Sequence, residues 1–231
     1  MNKPVGPVII TVDGPAGSGK SSICTSVARQ LGLTHVNTGA LYRAVGFLAL
    51  SKGVAANHEE QLCHLARQFK SEGHRNPENG DIYFQNRKLN PDIYSEEAGL
   101  WASNIATLPE LRNELLPIQR AWALDCPGGA ILDGRDTGTV VFPDARLKIY
   151  LTASPEQRAL RRQIQLQSLR PSDPTPDLKA LIEDLRKRDI QDSQRQVAPL
   201  RQAEDAILLD TSDLNVDQTI KAMIELIRPI L

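Results

Sequence analysis

The sequence predicts an α/β fold with a five-stranded parallel core sheet, and two observations indicate it. Five short runs are rich in β-branched or aliphatic residues, and most are continuously apolar, as is typical of strands covered on both faces. Helical segments separate these runs, and strands that alternate with helices indicate a parallel sheet. The five runs are residues 8–12, 34–36, 130–132, 147–151 and 207–209.

Glycines mark the ends of the first two predicted helices. Residues 21–31 are followed by Gly32 and residues 42–52 by Gly53, where a helix C-terminal cap favours left-handed backbone. A last helix is predicted from apolar residues at helical spacing, namely Val216, Ile220, Met223, Ile224 and Ile227.

Two segments interrupt the alternation of strands and helices. Between residues 73 and 94, a polar region carries the hairpin signal Asn79-Gly80 and then the short apolar run 82–84. We therefore expect a small insertion with its own strands, followed by helices at residues 96–106 and 110–124.

The second interruption is the proline-rich stretch "SLRPSDPTPD", residues 168–177. Its three prolines are incompatible with a helix interior, so it is a candidate mobile loop between two charged helices.

Composition excludes several classes of function. The 231 residues contain 27 Lys and Arg against 28 Asp and Glu, so the chain lacks the overall positive charge of a nucleic-acid-binding protein. No window approaches the roughly 18–20 apolar residues of a membrane span. Cys24, Cys63 and Cys126 lack metal-ligand spacing, and their odd number argues against a disulfide framework. We expect a cytoplasmic protein without nucleic-acid or membrane partners.

A phosphate-binding loop follows the first predicted strand. Residues 14–21 match the pattern G-x-x-x-x-G-K-[ST] between a strand and a helix. Glycines let successive backbone N–H groups turn towards an anion, and the following helix adds its positive N-terminal end. Lys20 would neutralise the β- and γ-phosphates, and the Ser21 hydroxyl would ligate Mg²⁺. The predicted triphosphate-binding residues are Gly14, Pro15, Ala16, Gly17, Ser18, Gly19, Lys20, Ser21 and Ser22.

A P-loop alone fits a GTPase, a motor ATPase or a small-molecule kinase, and the chain lacks the Asn-Lys-x-Asp guanine signature. Further anion-binding residues favour a kinase. "NTGALYR" (37–43) follows the second strand, and "DGRDTG" (133–138) follows the third, at the end where α/β proteins bind ligands. In "LRKRDIQDSQR" (185–195), one helical face would carry Arg188, Asp192 and Arg195.

Each of these stretches also has a purely structural interpretation. Arg188 and Asp192 would form an exposed helical salt bridge worth a few tenths of a kcal/mol, and Arg43 would be a solvated surface residue. The charged residues at 133–136 are harder to explain in this way, because charges at the end of a buried strand must be paired or functional.

The P-loop together with "TGALYR", "DGRDTGTVVFPDA" and "RDIQDSQRQVAPL" resembles the bacterial cytidylate kinases from residue 8 to about residue 227. The resemblance implies a P-loop kinase fold with a core sheet, an inserted monophosphate-binding subdomain and a helical lid. It also implies γ-phosphoryl transfer from ATP to CMP or dCMP with Mg²⁺. The expected single domain has its core at about 7–56, 126–155 and 198–231, the CMP-binding insertion at 57–125 and the lid at 156–197.

The same resemblance implies three groups of CMP contacts, to the phosphate, the cytosine and the sugar. They are, in that order, Arg43 and Arg135; Ser103, Arg112 and Asp136; and Arg188 and Asp192, with Thr38 close to the acceptor. Catalysis of phosphoryl transfer is mostly positioning and charge neutralisation. The expected catalytic residues are therefore Lys20, Arg135, Arg188 and Arg195, the last approaching the phosphates from the lid.

Three lid arginines, Arg158, Arg161 and Arg162, are candidates to contact ATP, and we assign Arg158 and Arg162 to that role. Asn37 stands where the family pattern has an aspartate, which puts a charged role there in doubt. Asp13 and Asp133 are both plausible partners of the Mg²⁺ site.

The predicted function is that of a monomeric kinase that phosphorylates CMP and dCMP with ATP and Mg²⁺. The alternatives are a P-loop kinase for another small acceptor, such as UMP, AMP or a coenzyme precursor, and a nucleotide-binding module that switches or hydrolyses without an acceptor. A third is an interaction protein whose P-loop is inactive, against which the intact Lys20 and Ser21 argue.

Overall fold

The computed structural model describes residues 6–169, 172 and 174–231. Strands and helices alternate along much of the described chain, and the three consecutive strands β3–β5 and three pairs of consecutive helices interrupt this alternation. Their order is β1 (Ile9–Asp13), α1 (Lys20–Leu31), β2 (Thr34–Asn37), α2 (Thr38–Ser51), α3 (Glu59–Glu72), β3 (Gly73–Arg75), β4 (Ile82–Phe84), β5 (Arg87–Lys88), α4 (Glu96–Ile105), α5 (Pro109–Leu124), β6 (Ala130–Gly134), β7 (Leu147–Thr152), α6 (Pro155–Leu169), α7 (Leu178–Gln194), β8 (Ile207–Asp210) and α8 (Val216–Ile227).

The predicted five-stranded parallel sheet is confirmed, with strand order β2-β6-β1-β7-β8. Every residue of β1 and β6 is buried, as expected of central strands. The prediction that the runs are covered on both faces is wrong for β8, where Ile207 and Leu208 are 41% and 55% exposed. This strand lies at the edge of the sheet and pairs only with β7.

The register of the sheet brings three strand ends together. Asp13 of β1 pairs with Gly134 of β6, and Asn37 of β2 pairs with Asp133. The loop after β1 and the segments after β2 and β6 therefore leave the sheet side by side. Ligands of open α/β sheets bind at this edge.

The predicted insertion contains a three-stranded antiparallel sheet of order β3-β4-β5. The Asn79-Gly80 hairpin signal is confirmed, because this dipeptide lies in the turn between β3 and β4, with Gly80 at φ 76°. The extent of the insertion as a subdomain stays a prediction.

Two apolar clusters stabilise the molecule, one within the insertion and α2 and the other on the large sheet. We call the one formed by α2–α5 and the small sheet the insertion core; it includes Leu41, Leu62, Phe69, Ile82 and Leu111. The other, which we call the sheet core, packs α1 and α8 on the large sheet and includes Ile10, Val27, Ile131, Ile149 and Met223.

Two helices differ from the sequence predictions. Helix α2 begins at Thr38 and not at Tyr42, because the Asn37 side chain caps it by accepting a hydrogen bond from the Ala40 N–H at 3.0 Å. Helix α3 was not assigned from the sequence, although its buried residues Leu62, Leu65, Ala66 and Phe69 recur at helical spacing.

Helices α6 and α7 cover most of residues 156–197, for which the sequence analysis expected a lid, and that role stays a prediction. Helix α6 continues to Leu169, so the prediction of a non-helical segment at 168–177 is wrong for its first two residues, while 170, 171 and 173 lie outside the described residues. Asp177 caps α7 by accepting from the Ala180 N–H at 2.9 Å. Within the described residues, no helix has the length and apolar character needed to cross a membrane.

Candidate active site

The P-loop joins β1 to α1 at the carboxyl edge of the sheet. Gly14 has a φ of 153°, and a Cβ atom there would lie 2.0 Å from the Leu151 carbonyl oxygen, so the close approach of β7 requires glycine. Gly19, at φ 89°, immediately precedes α1. The N-terminal N–H groups of α1 thus begin at the loop, where they can bind an anion.

The side chain of Lys20 lies folded onto its own loop. Its ammonium group donates to the carbonyl oxygens of Gly14 (2.8 Å) and Pro15 (2.7 Å) and to Ser18 Oγ (3.1 Å). Burial, and next the positive charge of Arg135, lower the pKa of Lys20 to about 7. A phosphate in this loop would add negative charge next to this amine, beyond that of Asp133 and Asp13.

The Ser21 hydroxyl lies beside a buried carboxylate. Ser21 Oγ donates to Asp133 Oδ2 at 2.6 Å. Burial opposes ionisation of Asp133, but His35, the Ser21 hydrogen bond and Lys20 together hold its pKa below the usual value. Mg²⁺ prefers oxygen ligands and usually binds through one or two protein groups plus substrate phosphates. The donor chemistry of the Ser21–Asp133 pair fits that ion.

Asp13, the other candidate for the Mg²⁺ site, is engaged elsewhere. Its carboxylate accepts from the N–H and hydroxyl of Thr137 and from the Gly138 N–H, at 2.7–2.8 Å. These contacts hold the π-helical turn Thr137–Val141, which the sequence did not predict. Of the two aspartates, Asp133 is therefore the one next to Ser21.

The amide at position 37 has two contacts. Its oxygen caps α2, and its Nδ2 donates to Ser21 Oγ at 3.2 Å. An aspartate could make the first contact but could not donate in the second. Asn37 thus contacts the Ser21 hydroxyl as a neutral hydrogen-bond donor.

Arginines expected at the acceptor phosphate and the sugar converge next to the P-loop. Arg135 donates from Nε to Asp192 Oδ2 (2.7 Å) and from Nη1 to the Gly134 carbonyl (3.1 Å). Burial, then the charges of Arg135 and Arg43, lower the pKa of Arg188 to about 10. The Nε atom of Arg188 is buried without a hydrogen-bond partner among the described residues.

Arg43 and Thr38 flank this cluster. Arg43 Nη1 donates to the carbonyl oxygens of Ile93 and Ser95, both at 3.2 Å, and Thr38 Oγ1 donates to the Asp133 carbonyl at 2.9 Å. Asp192 of α7 is buried and pairs with Arg135, which directly follows β6, so the interpretation of Asp192 as half of an exposed salt bridge with Arg188 is wrong.

The residues expected at the cytosine form a second buried group. Asp136 forms an ion pair with Arg112, whose other Nη atom donates to the Ala106 carbonyl at 3.1 Å. Ser103 Oγ is buried without a partner among the described residues. Arg195 Nη2 lies 3.4 Å from Asp136 Oδ1, so in this structure it lies next to the same group, and its expected approach to the phosphates from the lid stays a prediction.

Lid arginines contact the P-loop backbone. Arg158 Nη1 donates to the Ala16 carbonyl at 2.9 Å, and Arg161 Nη1 donates to the Ser18 carbonyl at 2.9 Å. Arg162, one of the two that we assigned to ATP, instead donates to Gln165 at 2.8 Å. The charge of Arg162 also lowers the pKa of Arg43 and Arg188, though less than burial does.

The sequence analysis missed two residues of this region. Asp189 accepts from the Ala16 N–H at 3.1 Å and pairs with Arg158, while His35 contacts Asp133. Asp189 lies within the charged stretch 185–195, so its position next to Arg188 was an available signal. No spacing pattern marks His35, because its partners come from other elements.

Three comparisons place the chain among known proteins. The family model described as cytidylate kinase matches residues 10–229. A cytidylate kinase of Pseudomonas fluorescens is 43% identical over 220 residues, which cover 94% of this chain and 93% of that protein. One from Azotobacter vinelandii is 43% identical over 221 residues, with the same coverage of both chains.

A longer relative and a solved structure also match. A bifunctional pantoate ligase/cytidylate kinase of Synechococcus is 44% identical over 226 residues, and the match spans 96% of this chain but 41% of that protein. The crystal structure of an uncharacterized protein from Eubacterium ventriosum has a TM-score of 0.53 at 10% identity, covering 96% of this chain and 98% of that one. This last similarity supports the fold alone.

Proposed function

The chain belongs to the cytidylate kinase family, and we propose that it transfers the γ-phosphoryl group of ATP to CMP and dCMP with the assistance of Mg²⁺. The observation that carries the proposal is the proximity of Arg135 to Lys20 of the P-loop. Arg135 is close enough to Lys20 to lower the lysine pKa, and it is paired through Asp192 to the helix that carries Arg188. A donor phosphate at Lys20 and an acceptor phosphate at the arginines would therefore lie next to each other.

Charge neutralisation is what these groups would contribute to the reaction. Phosphoryl transfer has a loose transition state whose charge is spread over the transferred oxygens, so catalysis depends on positioned cations. Lys20, Arg135 and Arg188 would supply them, and the guanidinium plane suits bidentate phosphate contacts. The lid arginines Arg158 and Arg161, which contact the P-loop, would exclude water over the donor.

Ser21 would hold Mg²⁺, with Asp133 orienting the hydroxyl. When bound, the ion would neutralise the oxygens of the donor phosphates. Asp133 itself would act through the hydrogen bond that it accepts from Ser21.

The buried group around Asp136 would select the base. Arg112, Arg195 and the unpartnered Ser103 hydroxyl offer donors, and the carboxylate of Asp136 offers acceptors. A site whose buried polar groups pair with one base leaves them unpaired with another, which is costly. This supports selection of cytosine over purines. We further propose that the protein acts as a cytoplasmic monomer.

A coupled assay of ADP formation tests the proposal. With ATP and Mg²⁺, we expect CMP and dCMP to exceed AMP and GMP in kcat/KM by at least about a hundredfold. UMP serves as the nearest competing acceptor. ADP release without acceptor dependence would instead indicate a hydrolase, and equal turnover of AMP and CMP would contradict the assignment of the base-reading residues.

A further inference from the structure

We propose that His35 is a positioning residue, which holds the Asp133 carboxylate and through it the Ser21 hydroxyl in place. Its ring Nε2 lies 2.7 Å from Asp133 Oδ1, and its Nδ1 lies 2.9 Å from Thr25 Oγ1. Only 17% of the His35 side chain is exposed. The imidazole is thus held at both ends, between α1 and β6.

Together these polar contacts close into a ring, which we call the Ser21–Asp133–His35–Thr25 ring. Ser21 Oγ donates to Asp133 Oδ2 at 2.6 Å, and Thr25 Oγ1 donates to the Ser21 carbonyl at 2.8 Å. His35 joins the two remaining ends, because it contacts both Thr25 and Asp133. Within this ring, both the backbone and the side chain of Ser21 are constrained.

His35 supplies what the Asp133 carboxylate needs to stay in one orientation. An ionised carboxylate only accepts hydrogen bonds, so Nε2 is the donor in its contact with Oδ1. The other oxygen, Oδ2, accepts from Ser21. With both oxygens occupied, rotation of the carboxylate would break one of the two bonds, and the Ser21 proton stays directed at Asp133. One lone pair of the hydroxyl accepts from Asn37 Nδ2 at 3.2 Å, and the other remains available.

The surroundings of His35 connect the ring of polar contacts to the insertion. His35 and Ser21 both line a cavity of about 350 Å³ between α1 and the β3–β4 hairpin. Arg75 of β3 also lines this cavity, and it donates to the His35 carbonyl oxygen. Both the backbone and the imidazole of His35 are therefore held by hydrogen-bond contacts. The side chain faces the cavity beside Ser21, the proposed metal ligand.

Three substitutions at His35 separate the contact made by the imidazole Nε2 atom from the contact made by its Nδ1 atom. The amide nitrogen of His35→Gln can replace Nε2 as the donor to Asp133, whereas that of His35→Asn reaches only the region of Nδ1. His35→Leu removes both contacts. His64→Leu, on the exposed face of α3, is the matched control.

The inference rests on the proposed function, so the main measurement does not require turnover. We expect His35→Leu and His35→Asn to lose up to about tenfold of the gain in ADP affinity that Mg²⁺ produces, because His35 acts on Ser21 through Asp133 and removal of a group in direct contact with a metal ligand costs about ten- to a hundredfold. The ADP affinity without Mg²⁺ should be unchanged. His35→Gln should restore most of the gain, and kcat for CMP should follow the same order.

Calorimetric titration of ADP, with and without Mg²⁺, decides the matter. An unchanged Mg²⁺ gain in folded His35→Leu would overturn the proposal, and so would a His35→Gln protein as impaired as His35→Asn. Equal loss of affinity with and without Mg²⁺ would show that His35 only supports the P-loop. If His35→Leu does not fold, the comparison of the Gln and Asn variants still decides. Absence of CMP phosphorylation by the wild type would refute the proposed function but leave the ADP titration valid.

Discussion

Lys20 is the residue whose charge state should change most on nucleotide binding. In the free protein its pKa of about 7 lies well below the usual 10.5, because burial and Arg135 disfavour the ammonium form. Above the folded pKa the free amine is mostly neutral, whereas phosphate oxygens in the P-loop would raise its pKa. Binding should therefore take up a proton in the window between the two values.

We expect ADP binding at about pH 8.5 to take up nearly one proton, since the nucleotide phosphates are already fully ionised there. Calorimetry in buffers of different ionisation enthalpy measures this uptake. Lys20→Ala should abolish it and should lower phosphoryl transfer by several orders of magnitude. Equal proton uptake by wild type and Lys20→Ala would assign the titration to another group.

Arg135 is the residue at which charge and geometry can be separated. Its Nε and Nη1 atoms are held by Asp192 and by the Gly134 carbonyl. Arg135→Lys keeps the positive charge but cannot reproduce these contacts together with a bidentate phosphate contact. Because a displacement of about 1 Å can cost a hundredfold in rate, we expect kcat/KM for CMP to fall at least about thirtyfold.

The affinity of Arg135→Lys for ADP is the control, and it should remain close to that of the wild type. Normal CMP kinetics in the folded variant would mean that Arg135 only neutralises its neighbouring carboxylates.

At the scale of elements, the Asp189 carboxylate of helix α7 binds the P-loop. Asp189 accepts from the Ala16 N–H and pairs with Arg158 of α6 at 2.5 Å, and Arg158 also donates to the Ala16 carbonyl. The small apolar cluster of Ala16, Ala159 and Leu185 packs beside this pair. Both lid helices therefore contact the same residue of the loop.

Asp189→Asn should weaken this connection, because it removes the charge that pairs with the buried Arg158 guanidinium. We expect a loss of about 1.5–3 kcal/mol in the free energy of unfolding, the range for hydrogen bonds to charged groups, and a higher KM for ATP. Urea unfolding and steady-state kinetics measure the two effects. Asp184→Asn, on the exposed side of the same helix, should change neither quantity. If Asp189→Asn and Asp184→Asn had the same free energy of unfolding and the same KM for ATP, Asp189 would not stabilise the contact between α7 and the P-loop.

At the scale of the whole molecule, the insertion core and the sheet core support different halves of the site. Arg43 and Arg112 lie on α2 and α5, which pack around Phe69 in the insertion core. The P-loop helix α1 packs instead against Met223 of α8 in the sheet core. Both Phe69 and Met223 are fully buried.

Cavities in the two cores should therefore have different functional effects. Phe69→Ala should cost about 3–5 kcal/mol of stability and Met223→Ala about 2–5 kcal/mol. We expect the first to weaken CMP binding more than ADP binding, and the second to do the reverse. Titrations of both ligands against both variants check this crossed pattern. If either variant weakened CMP binding and ADP binding equally, the two cores would support the site as a single unit.

Local signals in the sequence were sufficient for the fold and for the phosphate-binding loop. The five strands were evident because buried parallel strands are continuously apolar, and the P-loop because its glycines serve local backbone geometry. The start of α2 and the exposure of β8 were not predicted from the sequence. The first depends on the cap formed by Asn37, and the second on which strand lies at the edge of the sheet.

The amino-acid sequence by itself determined the fold class, the phosphate-binding loop and the identity of most candidate site residues. Only the tertiary structure decided how these residues are paired: Asp192 with Arg135, Asp133 with Ser21 and His35. The physical reason is that a charged or polar side chain can satisfy its hydrogen bonds with many partners. The choice among them depends on which strand ends and helices meet, and residues as distant in sequence as 21 and 133 are brought together by the register of the sheet.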